Sequence, residues 1–443
     1  MSTTIEALAE ALPAYLRAQR WAAASDRSIT GVAVEEAEEL VGGRPGLTWA
    51  LVSASFEDGS TARYQVVVGL RAAESHERFL EGKPAAVIGV VDTDDGPAVA
   101  YDALIDPELA VALLRHVAPD EEVQRVRPLL VEQSNTSVVY DERLILKLFR
   151  RVHDGPNPDA EVTRGLADVG FTHISAPVAE WRRGGRDLAV LREFLVGGTD
   201  GFHLALTSLR DLYDSRQPPA EAGGDFAHEA RRLGQITAAM HLALADAFGA
   251  EPADAGTWAA EMADHLARLR TTRVDRDRVA AAFEALGSVT EAGAAIRVHG
   301  DYHLGQVMRT DAGWYVLDFE GEPERPLEER RRPSSALKDV AGMLRSFQYA
   351  AAVALREREF DEDEVELVDL GRAWERRNAD AFRDGYLSIT GIEEVLPADG
   401  DRDRVLDAFL LDKAVYEVAY EEANRPAWVE IPAGAVERLL APA

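Results

Sequence analysis

Hydrophobic and polar positions change their rhythm part-way along this chain. In the first part the period is two. Leu47 to Phe56 alternates, Asp58-Gly59 supplies a turn and Ser60 to Leu70 runs back, which predicts a β-hairpin. A short helix is expected over residues 4–20, a further strand over Ala85 to Asp92 and a helix over Pro107 to His116. A meander follows, in which Pro128 to Glu132 leads into the polar loop Gln133-Ser134-Asn135-Thr136 and Ser137 to Tyr140 runs back. Asp141-Glu142 then turns the chain into a third strand, Arg143 to Phe149. Asn157-Pro158 places a cap and a first-turn proline at the start of a helix that carries Glu161. Two more strands, near 174–181 and 188–195, are separated by Gly184-Gly185.

After Gly197-Gly198 the period lengthens to about 3.6. Phe226, Ala230, Leu233, Thr237, Met240 and Leu244 mark one helix face, and Leu337, Val340, Leu344, Phe347 and Ala351 another. Residues 402–424 form a third long helix that Pro426 ends, and Val307 to Phe319 is a β-prone insert among these helices. The expected fold is α+β and bilobal. Residues 1–120 form an N-terminal cap and the start of the N-lobe, 121–198 a strand-rich N-lobe, and 199–443 a helical C-lobe.

Composition narrows the function. A chain of 443 residues exceeds the about 100–200 expected of one domain, so two or three structural units are expected. With 78 acidic against 48 basic residues the formal charge is −30, a surface that repels nucleic acids and anionic membranes. The absence of cysteine excludes disulfides, thiolate catalysis and cysteine–zinc sites. Met1 to Arg20 lacks a basic segment followed by an apolar one, and no run approaches the ~20 apolar residues of a membrane span, so a cytoplasmic location is expected. Only four lysines occur, Lys83, Lys147, Lys338 and Lys413, as if lysine were kept where a compact ammonium is needed.

The chemistry concentrates in His299-Gly-Asp-Tyr-His-Leu-Gly-Gln306, followed by Asp318-Phe-Glu320. Phosphoryl transfer to an alcohol needs a carboxylate to orient the hydroxyl and take its proton, oxygen ligands for magnesium, and a lysine at the α- and β-phosphates of ATP. Asp301 suits the first role. Gln306 and Asp318 offer the hard oxygen ligands that magnesium prefers. Lys147, on the third strand of the meander, suits the phosphates, and Glu161 on the next helix is a partner for its ammonium. Strand lysine, helix glutamate, loop aspartate and strand aspartate follow in the order found in protein kinases. Ser134, Thr136 and Ser137 stand where a glycine-rich phosphate cover would be, and their hydroxyls are candidates to touch phosphate. No G-x-x-x-x-G-K-[ST], G-x-G-x-x-G or G-x-S-x-G motif occurs. His299 and His303 lie at i, i+4, and support of the loop competes there with a two-histidine metal site completed by Asp301.

At this point the chain resembles the maltokinases, within the wider aminoglycoside-phosphotransferase-like group. The resemblance runs over nearly the whole length. It is carried by Gln19-Arg-Trp21, the hairpin Phe56 to Tyr64, Val298 to Gln306, Asp318-Phe-Glu-Gly-Glu-Pro323, Asp339 to Phe347, Asp412-Lys-Ala-Val-Tyr-Glu417 and Arg425-Pro-Ala-Trp428. It implies a protein-kinase-like fold with an extra N-terminal cap, Asp301 as base, Gln306 and Asp318 on magnesium, and Lys147 with Glu161 on the phosphate side. It also implies ATP as donor, maltose as acceptor, maltose 1-phosphate as a precursor of α-glucan, and trehalose synthase as a possible partner. Lys413, Tyr416 and Tyr420 share a helix face at i, i+3 and i+7, where the tyrosines are either a stacking platform for a sugar or core residues. His203, and His303 beside the base, are further candidate sugar contacts. Two rivals stand beside this reading: a kinase of a cationic amino sugar or aminoglycoside, which the acidic surface would attract, and a kinase-like binding protein without activity.

Overall fold

The computed structural model describes residues 3–22, 27–74, 80–93, 95–129, 134–322, 325–358 and 364–441. Gln133, Pro323 and the end of the strand expected over Pro128 to Glu132 lie outside them. The chain divides into two compact units, residues 1–160 with 175–196, and residues 161–174 with 197–443.

The first unit opens with two short helices, α1 (Thr3–Ala7) and α2 (Leu12–Ala18), where one was expected; Pro13 sits in the first turn of the second and restarts the helix. Strands β1 (Ile29–Val41), β2 (Gly46–Phe56), β3 (Thr61–Ala72), β4 (Val87–Thr93) and β5 (Gly96–Asp102) form a sheet in the order β1-β2-β3-β5-β4. The sequence pattern missed β1 for a physical reason. Its pairing with β2 slips between Ile29 and Gly31, Val34 and Glu36, and Glu39 and Val41, and each irregularity resets the alternation of an edge strand rich in glutamate. Leu12, Tyr15 and Leu16 of α2 pack on Val52 and Val66 at one face of this sheet. Helix α3 (Pro107–Val117) covers the other, where Leu109 and Leu113 join Trp49 and Leu51 in one core.

That core continues into a second sheet through Val138, Tyr140 and Leu146. Its strands are β6 (Val126–Leu129), β7 (Thr136–Tyr140) and β8 (Leu144–Leu148), then, beyond helix α4 (Pro158–Asp168), β9 (Pro177–Arg183) and β10 (Arg186–Glu193), in the order β6-β7-β8-β10-β9. Asp141 and Glu142 turn the chain with φ of 53° and 51°, the left-handed pair a tight hairpin requires. Gln65 of β3, fully buried, staples the two sheets by donating to the carbonyls of Phe149 and Leu188, each at 2.6 Å.

The second unit is mainly helical. It contains β11 (Thr199–Asp200), α5 (Gly201–Ser215), α6 (Ala227–Phe248), β12 (Ala250–Pro252), α7 (Ala255–Arg268), α8 (Arg276–Leu286) and β13 (Ala294–Ile296). The β-prone insert is the hairpin β14 (Val307–Thr310) and β15 (Gly313–Val316). Then come α9 (Leu327–Arg330), β16 (Ser334–Ser335), α10 (Leu337–Arg356), α11 (Glu364–Leu387), α12 (Asp399–Asn424) and α13 (Glu430–Leu439). One hydrophobic core joins these elements. Helices α6 and α11 approach so closely that a Cβ on Gly234 would stand 2.0 Å from the carbonyl oxygen of Phe382, and one on Gly385 2.0 Å from that of Arg231. Among the described residues, no helix is long and apolar enough to cross a membrane.

Candidate active site

The loop from His299 to Gln306 joins β13 to β14, and a buried carboxylate holds its start. Asp339, in the first turn of α10, accepts the backbone N–H groups of His299 at 2.7 Å and Gly300 at 2.9 Å, and lies 3.1 Å from His241 Nε2. Burial alone would raise its pKa, but the hydrogen bond and charge of His241, with His299 and the Gly300 N–H, outweigh that and hold it below the ordinary carboxylate value. Helix α10 meets the same loop at Gly342, where a Cβ would sit 2.4 Å from the Tyr302 carbonyl oxygen.

Both histidines of the loop are in structural use. His299 Nε2 lies 2.8 Å from the Leu317 carbonyl, so it carries the proton, and Nδ1 faces the Asp301 N–H at 3.4 Å. Neither nitrogen is left for a metal, which removes the two-histidine site. His303 Nδ1 accepts from the Gly305 N–H at 3.0 Å, leaving the proton on Nε2, 3.8 Å from Asp301 Oδ2. Burial lowers the His303 pKa against the pull of Asp301, so the ring is neutral near pH 7.

Asp301 therefore sits on a braced loop, and one of its oxygens is pinned. Lys413 Nζ lies 3.1 Å from Asp301 Oδ1 and 2.7 Å from Glu322 Oε1. Glu322 is 3% exposed and also pairs with Arg325, which reaches Asp412, itself 2.9 Å from His265 Nδ1. Burial opposes the charge of Lys413, but Glu322 and Asp301 outweigh it and keep the ammonium pKa well above the ordinary lysine value. Burial likewise opposes ionisation of Glu322, and Lys413 and Arg325 outweigh it, holding the carboxyl well below its usual range. Asp301 Oδ2 accepts no hydrogen bond among the described residues.

Gln306 and Asp318 are neighbours, with Gln306 Nε2 3.4 Å from Asp318 Oδ2. A half-turn of the amide puts Oε1 beside the carboxylate, giving two hard oxygens, so these residues fit the ion. Asp318 has φ of 62°, a left-handed conformation that costs a non-glycine residue about 1–3 kcal/mol and is typical of functional positions.

In the first unit, Lys147 on β8 has an acidic partner that the sequence did not suggest. Its Nζ lies 3.0 Å from Asp159 Oδ2, in the first turn of α4, where Asn157 caps the helix by accepting the Asp159 N–H at 2.9 Å. Asp159 is fully buried; burial disfavours its charge, but Arg192 and Lys147 outweigh it and hold its pKa well below the ordinary value. Glu161, two residues on, pairs with Arg297 at 3.4 Å.

The phosphate-side hydroxyls divide by strand alternation. Ser137 stands opposite Lys147 in the β7–β8 register and shares its face. Thr136 points to the other face, where its Oγ1 accepts from Arg150 Nε at 2.8 Å, so it is not beside Lys147. Ser134 is exposed and accepts from Asn135 Nδ2.

In the second unit a cavity of about 520 Å³ opens beside Asp301, and the predicted substrate residues His203, His303, Lys413, Tyr416 and Tyr420 all line it. The two tyrosines are half-buried and stacked, with ring centroids 6.3 Å apart, so they form a wall of the cavity. His203 lies at the rim against Asp200. Sequence reasoning missed Asp159, Glu322 and Arg325, and the cavity carboxylates Asp200, Glu417 and Glu421. Glu322 stood inside the Asp318–Pro323 segment, the one signal that could have drawn attention to it.

Residues 15–106 match the family model described as the maltokinase N-terminal cap domain, which spans α2 to β5. A glucosamine kinase of Mycolicibacterium smegmatis (strain ATCC 700084 / mc(2)155) is 29% identical over 331 residues, 71% of this chain and 79% of that one. A glucosamine kinase of Streptacidiphilus jiangxiensis is 29% identical over 330 residues, 69% and 71% of the two chains. The solved structure of a glucosamine kinase in complex with glucosamine, ADP and inorganic phosphate matches with a TM-score of 0.68 at 24% identity, covering 98% of this chain and 99% of that one. The fold is protein-kinase-like, with an N-terminal cap. In this kinase-like fold the sheet β6–β10 is the strand-rich lobe bearing Lys147, and the helical lobe bears Asp301, Gln306 and Asp318.

Proposed function

We propose that the protein is an ATP- and magnesium-dependent kinase that phosphorylates a hydroxyl of a small sugar. The observation that carries this reading is Asp301, one oxygen held by Lys413 and the other without a hydrogen bond among the described residues, opening on a cavity of about 520 Å³ with a tyrosine wall. Such a cavity is of the size that takes a small ligand, and aromatic rings suit the flat C–H faces of a sugar. Asp301 Oδ2 orients the acceptor hydroxyl and receives its proton as the oxygen attacks the γ-phosphorus of ATP, whose bond to the β,γ-bridging oxygen breaks to release ADP. Lys147, steadied by Asp159, neutralises the phosphates, with Ser137 on its face of the sheet. Gln306 and Asp318 would hold magnesium, which supplies charge neutralisation at the phosphate oxygens.

Among sugars, the cavity favours a cationic one. Four carboxylates line it, Asp200, Asp301, Glu417 and Glu421, against the two cations Lys413 and Arg425. Glu417 Oε2 takes both bonds from Arg345 and leaves Oε1 for an ammonium group. The named relatives point the same way, toward glucosamine. Maltose is the second reading, favoured by the cap match, but a glucosamine kinase aligned over 98% of this chain has the cap region too, so the cap does not separate the two sugars. Trehalose synthase as a partner rests on the maltose reading alone. The test is sugar-dependent ADP release across glucosamine, N-acetylglucosamine, glucose, maltose and kanamycin. Preference for glucosamine over both glucose and its N-acetyl form supports recognition of the ammonium, and preference for maltose transfers the conclusion to the second reading.

A further inference from the structure

A second cavity, of about 510 Å³, lies wholly within the first unit, and its chemistry is opposite to that of the sugar cavity. It is walled by the Gln19-Arg20-Trp21 turn, by Lys83, and by Asp102 and Arg150. Asp102 is satisfied inside the protein: it pairs with Arg150 Nη2 and accepts the Tyr15 hydroxyl at 2.9 Å. The remaining charge is positive. Arg20 and Lys83 have no ion pair among the described residues, although the chain as a whole carries a charge of −30. Arg150 is fully buried beneath the Trp21 ring, 4.9 Å from its centroid, and its Nη1 has no hydrogen-bond partner. A buried donor left unpaired is costly, and a ligand oxygen would relieve it.

We propose that this cavity binds a phosphate group, either free phosphate or the phosphate of a small metabolite. Two cations without an ion pair among the described residues, Arg20 and Lys83, line one cavity with the unpaired Arg150 donor, and a dianion answers both charges where a single carboxylate would not. The Arg20 guanidinium can present paired donors to its oxygens, Arg150 offers Nη1, and Lys83 adds a point charge. The site is separate from the nucleotide chemistry, because Arg150 holds Thr136 on the face of the sheet opposite Lys147. Of the four lysines, Lys147 and Lys413 serve the proposed reaction, and Lys83 finds its use here.

The experiment is calorimetric titration of inorganic phosphate, and separately of glucose 6-phosphate, into the full chain without nucleotide or magnesium. Wild type, Lys83→Gln, Arg20→Gln and Lys147→Met are compared, with Arg20→Gln, at an exposed residue, as the second variant should Lys83→Gln fold poorly. The expected result is one saturable site in wild type, weakened at least about tenfold by Lys83→Gln or Arg20→Gln and unchanged by Lys147→Met. Equal affinity for the two probes identifies free phosphate as the ligand, and tighter binding of glucose 6-phosphate identifies a phosphorylated metabolite. No binding of either probe at millimolar concentration, or binding lost in Lys147→Met and kept in Lys83→Gln, overturns the proposal. Neither result depends on which sugar the enzyme phosphorylates.

Discussion

Lys413→Met removes an ammonium that serves two carboxylates of different burial, and the consequences separate. Glu322, 3% exposed and 2.7 Å from Nζ, loses one of its two cations and keeps Arg325. A hydrogen bond to a charged group contributes about 1.5–3 kcal/mol, so stability should fall by about that amount. Asp301, 21% exposed and 3.1 Å from Nζ, loses the contact that fixes Oδ1 and so aims Oδ2. Solvent can rehydrate this carboxylate, so its loss is one of position. A general base contributes about 10²–10⁴-fold, and an unaimed base should forfeit the lower part of that, a fall in kcat of about 10²-fold. KM for ATP should hold, because Lys147 and Asp159 are untouched. Steady-state ADP release, with a thermal melt of the same preparation, reads both effects. Lys413→Arg should recover stability more than rate, since a planar guanidinium cannot reproduce one ammonium bridging two oxygens. If Lys413→Met lowers the melting temperature but keeps kcat within threefold, the residue is a structural brace. If sugar KM rises alone, it is a substrate contact, and the positioning argument fails.

Three further outcomes follow from the same geometry. Gly342→Ala should force α10 off the Tyr302 carbonyl and destabilise the protein by about 1–3 kcal/mol, the range for overpacking; an unchanged melt would mean the loop is not held there. Asp159→Asn should raise KM for ATP, because its carboxylate lies 3.0 Å from Lys147 Nζ; an unchanged KM would remove Asp159 from the phosphate side. Glu322 has a folded pKa below its unfolded value of about 4.3, so its contribution is present above that pH and is lost as the pH falls from there toward the lowered folded value. Glu322→Gln should therefore flatten the acid limb of stability below about pH 4.3, which melts over a pH series would detect, and an unaltered acid limb would refute the assignment.

The fold and the centre of the site were legible for different reasons. The change of period after Gly197 separated strands from helices because it reports burial on one face at a time, and β1 escaped because its irregular pairing erased that period. Asp301, Gln306 and Asp318 could be singled out as candidates because the loop and the following strand end are nearly contiguous in sequence. Asp159 was not, because two carboxylates in one helical turn differ only in direction, and sequence spacing alone favoured Glu161. Thr136 and Ser137 are adjacent on a strand, so alternation already barred both from one face. Lys413 was assigned to the sugar on the strength of its neighbours Tyr416 and Tyr420, since nothing local announces a bridge to Asp301 and Glu322.

The most direct test of the central claim is magnesium-dependent ADP release by wild type and Asp301→Asn, with and without glucosamine or maltose. The account predicts release that requires magnesium and one of these sugars, lowered at least about 10²-fold by Asp301→Asn with ATP binding retained. Equal turnover by the two proteins, or no sugar-dependent turnover in wild type, would contradict it.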